Sequence, residues 1–112
     1  MLQQGFSITE LQAYIKNQDF RPDQPMHYFY KLIEEVGELS EVLRKNRRLN
    51  DEGTIKGTIE EELYDVLYYI AAIANIYEID LEECAILKEQ INVKKYAQTS
   101  NAQYKGESPC SQ

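Results

Sequence analysis

The sequence has no tryptophan, one histidine, two cysteines, three prolines and five glycines in 112 residues. Each shortage excludes something. So few glycines and prolines cannot punctuate the many tight turns of an all-β fold. The lone His27 cannot supply the E-x-x-H pairs that a di-iron bundle places on two helices, and it lacks a partner for nucleophilic catalysis, so it reads as structural. Cys84 and Cys110 form neither a disulfide framework nor a CxxC metal site, and both read as free thiols. No apolar run approaches the ~18 residues of a membrane span. Met1-Leu2-Gln3-Gln4-Gly5 carries neither the basic nor the apolar region of a secretion signal. The expectation is a cytoplasmic protein with no membrane partner. Positive charge is short as well: 12 Lys and Arg stand against 19 Asp and Glu, a net charge of −7. That argues against a nucleic-acid polymer as partner, because phosphate backbones demand Lys/Arg patches. A small phosphate-bearing substrate remains open if divalent cations sit between it and the carboxylates.

What is present fits one soluble domain with a modest core: 43% hydrophobic and 28% charged residues. The pattern predicts four helices and a tail. Ser7-Ile8-Thr9-Glu10 is a capping-box pattern followed by Leu11, Tyr14 and Ile15 at helical spacing. Pro25 suits the first turn of a second helix running to about Asn46. Arg47 to Gly57 reads as a loop. Thr58-Ile59-Glu60-Glu61 opens a third helix, continuing to about Glu78, and Asp80-Leu81-Glu82-Glu83 opens a fourth that should fade near Ala97. The expected organisation is a helical domain over residues 1–97 and a flexible polar tail over 98–112.

Two segments carry the chemistry, Lys31-Leu32-Ile33-Glu34-Glu35-Val36-Gly37-Glu38-Leu39 and Ile59-Glu60-Glu61-Glu62-Leu63-Tyr64-Asp65-Val66-Leu67. At roughly 100° per residue, Tyr28, Leu32, Val36, Leu39, Val42 and Leu43 form one apolar arc on the second helix. Glu35 points into that arc and Glu38 lies at its edge, while Glu34 and Glu41 point away. On the third helix the apolar face is Ile59, Leu63, Val66, Ile70, Ile73, Ala74 and Tyr77. Glu62 lies within it, Asp65 at its rim, and Glu61 points outward. Each helix thus aims one carboxylate pair inward, one turn apart. Buried ionised carboxylates are costly unpaired and repel one another. Hard cations such as Mg²⁺ or Mn²⁺ remove both difficulties and keep water positions for substrate phosphates. Solvated helix faces in a Glu-rich chain are the alternative, and the helical wheel alone leaves both open.

Glu34-Glu35-Val36-Gly37-Glu38 followed by Glu62-Leu63-Tyr64-Asp65 resembles the EExxE…ExxD signature of MazG-like nucleoside triphosphate pyrophosphohydrolases. The likeness extends to Lys31-Leu32, to Asp65-Val66-Leu67 with Ala74-Asn75, and to a Lys88…Asn92…Lys95-Tyr96 helix, covering about Ser7 to Tyr96. It implies an all-α, four-helix antiparallel bundle-like fold closed by dimerisation, as a homodimer or dimer of dimers. It implies hydrolysis of an NTP or dNTP between the α and β phosphates to the monophosphate and pyrophosphate. The implied metal ligands for Mg²⁺ (or Mn²⁺) are Glu35, Glu38, Glu62 and Asp65. Glu35 and Glu38 are the catalytic candidates, with the identity of the general base left open. Lys31, Lys88, Asn92 and Lys95 are the candidate substrate-binding residues, although Lys31 could equally pair with Glu35 and the other three could be a solvated face.

Other readings are weighed beside this one. A phosphoribosyl-ATP pyrophosphohydrolase shares the acidic helix pair, and a non-enzymatic helical dimerisation module would need no inward carboxylates. Arg44, Lys45, Arg47 and Arg48 suit compensation of a helix C-terminal dipole. Tyr64, Tyr68 and Tyr69 suit core or dimer contacts better than base stacking.

Overall fold

The computed structural model describes residues 1–50 and 53–102, with side chains described up to residue 97. Four helices and no strand are found among these residues: α1 (Ile8–Gln18), α2 (Pro25–Lys45), α3 (Ile59–Ile76) and α4 (Leu81–Ala102). The chain divides into two compact units, one over Met1–Ile79 and one beginning at Asp80. No described helix is long and apolar enough to cross a membrane.

Local chemistry sets the ends of these elements. Ser7 Oγ accepts the Glu10 N–H at 3.0 Å while the Glu10 carboxylate accepts the Ser7 N–H at 2.7 Å, a complete capping box. Pro25 starts α2 where its missing N–H costs nothing. Asn46 ends that helix in the left-handed region at φ 52°, and the Arg47 N–H closes back on the Val42 carbonyl at 3.0 Å. Glu78 does the same after α3 at φ 55°, with the Ile79 N–H donating to the Ala74 carbonyl at 2.8 Å. The sequence places these two ends at Asn46 and Glu78, each beyond the last helical residue, because a left-handed capping residue looks helical in composition. Asp80 Oδ1 then accepts the Glu82 N–H at 3.0 Å at the start of α4. That helix continues to Ala102, past the expected fade near Ala97. The expected flexible tail lies from residue 103 outside the described residues, as does Cys110, while Cys84 is a free, exposed thiol.

Within the first unit, α3 packs against both α1 and α2. The start of α2 (Met26, Phe29) lies beside the end of α3 (Ile73, Tyr77), and the middle of α2 lies beside the start of α3, so the pair is antiparallel. Leu11, Ile15, Tyr28, Val42, Ala71, Ala72 and Ala74 are buried. The alanines leave α3 little side-chain bulk where its neighbours approach it closely. The seam that α2 turns inward is Tyr28, Leu32, Glu35, Leu39 and Val42. Val36 and Leu43, placed by the wheel in the same arc, are exposed, as are Leu63, Ile70 and Tyr77 on α3. An apolar arc wider than one contact seam merges two stripes one residue apart, and the chain uses only one of them for its own core.

Polar groups fasten this core. Gln12 Nε2 donates to Asn75 Oδ1 at 3.1 Å and to the Ile79 carbonyl at 2.8 Å, and Asn75 Nδ2 donates to the Gln12 carbonyl at 2.9 Å. This reciprocal pair, buried on both sides, fixes the register of α1 against α3. Tyr28, fully buried, donates its hydroxyl to Asp19 Oδ1 at 2.8 Å and accepts the Arg21 N–H at 3.0 Å, holding the α1–α2 connection onto the core. Its neighbour His27 stacks edge-on against it, a packing role consistent with the sequence reading. Asn75→Ala should cost about 1–3 kcal/mol, since it leaves buried partners unsatisfied. Exposed Asn17→Ala should stay within about 0.5 kcal/mol. Urea unfolding midpoints of the two variants check the contrast.

Candidate metal centre

Three of the carboxylates expected to converge do so. One oxygen from each of Glu35, Glu62 and Asp65 lies within 4.8 Å of the others. Glu62 is only 5% exposed, Glu35 and Asp65 are half-buried, and Glu62 Oε1 is buried with no hydrogen-bond partner. Glu38 stands one turn beyond Glu35, exposed, and lines the same pocket of about 390 Å³. Burial, followed by the neighbouring Glu35, Asp65 and Glu38 carboxylates, pushes the Glu62 carboxyl up to about 7. Asp65 is raised too, by burial first and then by Glu35 and Glu61, with Lys56 pulling the other way.

The remaining glutamates are occupied elsewhere. Glu34 is exposed and pairs with Lys31 at 3.7 Å. Lys31 therefore meets the i+3 carboxylate rather than Glu35. Glu41 pairs with Arg44 at 2.7 Å and Lys45 at 3.0 Å, so these two cations serve an ion-pair cluster as well as the helix end. Arg48 reaches across the loop to Glu60 at 2.7 Å, and the same carboxylate accepts the Leu49 N–H at 2.9 Å.

Glu61 does not point outward as the wheel suggests. Its side chain is 17% exposed, it lines the acidic pocket, and it accepts the Gly57 N–H at 2.7 Å while pairing with Lys56 at 3.3 Å. A wheel carries no information about the loop that folds back over the first turn. Gly57 holds φ 75°, a conformation that presents its N–H to Glu61. Thr58 Oγ1 accepts the Glu61 N–H at 3.1 Å, but the Glu61 carboxylate goes to Gly57, so only half of the expected capping box forms. Lys56 and Gly57 are the pocket residues that sequence reading missed; the Gly-Thr pair preceding a helix start was their only signal.

On α4, Lys88 and Lys95 are exposed and Asn92 is buried, donating to Glu89 Oε2 at 2.9 Å. Their i, i+4, i+7 spacing puts them on one side of that helix. Tyr64, Tyr68 and Tyr69 form an edge-on cluster, with ring centroids 6.2 and 5.1 Å apart, and Tyr69 leans on Tyr28 at 6.4 Å.

A buried carboxylate oxygen without a donor, beside two more carboxylates, fits a hard divalent cation. Such an ion satisfies the oxygen and cancels the repulsion at once. Carboxylates converging on helices in this way suit metal-assisted chemistry on phosphate anhydrides. Residues 24–99 match the MazG nucleotide pyrophosphohydrolase domain, and the chain belongs to that family. It is a hydrolase acting on phosphoric anhydrides. Two crystal structures of iMazG from Vibrio DAT 722 are similar to it, each 51% identical. The Ctag-iMazG structure has a TM-score of 0.72 and aligns over 78% of this chain and 98% of its own. The Ntag-iMazG structure has a TM-score of 0.74 over 81% and 98%. No curated protein matches the chain.

The raised Glu62 carboxyl has a measurable consequence. Between its ordinary value of 4.5 and about 7, the folded state binds the extra proton and the unfolded state does not. The metal-free protein should therefore gain stability as pH falls through 7 toward 4.5. Glu62→Gln, held in chelator, should melt higher than the parent at pH 8, with the gap closing by about pH 5. A variant that melts lower at pH 8 would contradict this.

Proposed function

We propose that the chain is a Mg²⁺-dependent nucleoside triphosphate pyrophosphohydrolase, with Mn²⁺ as a substitute, cleaving an NTP or dNTP between the α and β phosphates. The reading rests on one observation above all: the partnerless Glu62 Oε1 beside Glu35 and Asp65. Family membership and the 51% identity to Vibrio iMazG support it. Glu35, Glu38, Glu62 and Asp65 would hold the cation, which would neutralise polyphosphate charge and polarise the scissile anhydride.

The protein's own part begins with charge. A pocket lined by five carboxylates repels a bare triphosphate, so the substrate's charge would need cations to cover it there. Net reaction adds one water across the anhydride and releases monophosphate and pyrophosphate. The proton lost by the attacking water needs a carboxylate with spare basicity. Glu35 and Glu38, which both line the pocket, are the two catalytic candidates for that role. Lys31, Lys88, Asn92 and Lys95 are the proposed substrate-binding residues. Lys31 needs to give up only an exposed pair, whereas Asn92 must leave Glu89. Nucleotide pools make the cytoplasm the place of action.

The active unit is proposed to be a homodimer or a dimer of dimers. Phe29, Ile33, Val36 and Leu43 are exposed along α2 at spacings of three, four and seven. Leu63, Ile70 and Tyr77 recur every seventh residue on α3 and are exposed too. A second copy of the same stripes is the natural cover.

With Mg²⁺, a panel of NTPs, dNTPs and phosphoribosyl-ATP should yield monophosphate and pyrophosphate from at least one member. Nucleoside diphosphate with free phosphate as first products would reject the assignment. Glu35→Gln and Glu62→Gln should lose activity by at least a hundredfold, roughly the cost of removing a charged catalytic partner. Glu34→Gln should remain within a few-fold of the parent. Light scattering should return a multiple of the 13.1 kDa chain mass at micromolar concentration. Val36→Asp should shift it toward the monomer with helical circular dichroism intact.

A further inference from the structure

Lys56 is the one cationic side chain lining the carboxylate pocket among the described residues. It sits on the α2–α3 connection immediately before Gly57, whose left-handed backbone turns the chain into α3. Its Nζ lies 3.3 Å from Glu61 Oε2, and its side chain is 81% exposed. Glu61, by contrast, is held twice: by Lys56 and by the Gly57 N–H at 2.7 Å on its other oxygen. The two partners are thus unequal. If Lys56 leaves, Glu61 keeps its backbone donor and the loop keeps its anchor.

We propose that Lys56 is a polyphosphate-gripping residue, which exchanges its Glu61 partner for the pyrophosphate end of the metal-bound triphosphate. This rests on the pyrophosphohydrolase reading above. The physical case is competition. An exposed, monodentate Lys–Glu pair is weak and screened by water and salt. A triphosphate brings three or more negative charges and many acceptor oxygens to the same mouth, and an ammonium on a flexible four-carbon stem can follow them. The carboxylates around the pocket hold metal but repel phosphate oxygens that the cation does not cover. A cation at the rim is what such a pocket otherwise lacks.

The test compares the full chain with Lys56→Ala, Lys56→Arg and Glu61→Gln. Glutamine keeps a carbonyl for the Gly57 N–H while removing the charge that holds Lys56. Lys56→Ala should raise KM for the magnesium–nucleotide complex about tenfold, the scale of one charge-assisted contact. Its kcat should fall much less, and Lys56→Arg should recover most of the loss. Inhibition by pyrophosphate should weaken in parallel, and inhibition by the monophosphate should not. Glu61→Gln should move KM the other way, downward. Calorimetry with magnesium pyrophosphate gives the same comparison without turnover. If the parent hydrolyses no nucleotide, the functional reading fails, while the calorimetry still judges Lys56. Equal pyrophosphate affinity in parent and Lys56→Ala, or no binding by the parent, overturns the proposal. So does a Glu61→Gln variant as impaired as Lys56→Ala, which would make the ion pair structural.

Discussion

Three carboxylates share a space of 4.8 Å, one of them with an oxygen out of reach of any donor, and the structure around them is organised to tolerate this. Without a cation the tolerated solution is a proton, which is why the Glu62 carboxyl rises to about 7. With a cation the same geometry becomes favourable, because ligand oxygens need to converge and to be dry. The packing of the first unit keeps these carboxylates close together. Gln12 with Asn75, and Tyr28 with Asp19, tie α1 to α3 and to the start of α2, so the repulsion cannot relax by separating helices. At Glu62 burial costs stability as pH rises, the kind of cost strained sites commonly carry.

The sequence–structure comparison is sharpest on α2. A seven-residue rhythm through Tyr28, Leu32, Glu35, Leu39 and Val42 was readable in the chain, and it puts Glu35 on a buried seam. The second rhythm, one residue later through Phe29, Ile33, Val36 and Leu43, was equally readable but blurred into the first. Periodicity reports that a face is apolar and does not report which surface will cover it. Helix starts were legible from Ser7, Thr58 and Asp80, whose side chains cap their helices, and from Pro25, whose ring suits a first turn. The end of α2 was legible as well, to within a residue of Lys45, whereas α3 stops at Ile76, two residues before the Glu78 that the pattern suggested.

The pocket lining divides the same way. Glu35, Glu38, Glu62 and Asp65, which line it, share faces read from spacing on two helices, since each pair lies on one turn of a regular element. Lys56 and Gly57 could not, since a loop has no period and its return over α3 is a tertiary fact. The misplacement of Glu61 follows from that blind spot. On a bare helix it faces away; once the loop closes, the outside of the first turn becomes the wall of the pocket.

Glu60, Glu61 and Glu62 are chemically identical and adjacent, yet the fold assigns each a different partner. Glu60 takes Arg48 and the Leu49 N–H, closing the far side of the loop. Glu61 takes the Gly57 N–H and Lys56, closing the near side. Glu62 keeps one buried oxygen, Oε1, without a partner, facing the pocket carboxylates. Successive helical residues point about 100° apart, so three in a row address three directions. All three sit in the first turn of α3, where the helix dipole favours negative charge. That field eases the accumulation of acid at this helix start, and it acts on Glu62 as well. It does not supply the missing donor to a buried oxygen. The first two glutamates fasten the loop ends around the start of α3, beside the buried Glu62. A cation held there, as proposed, would depend on residues that need never touch it.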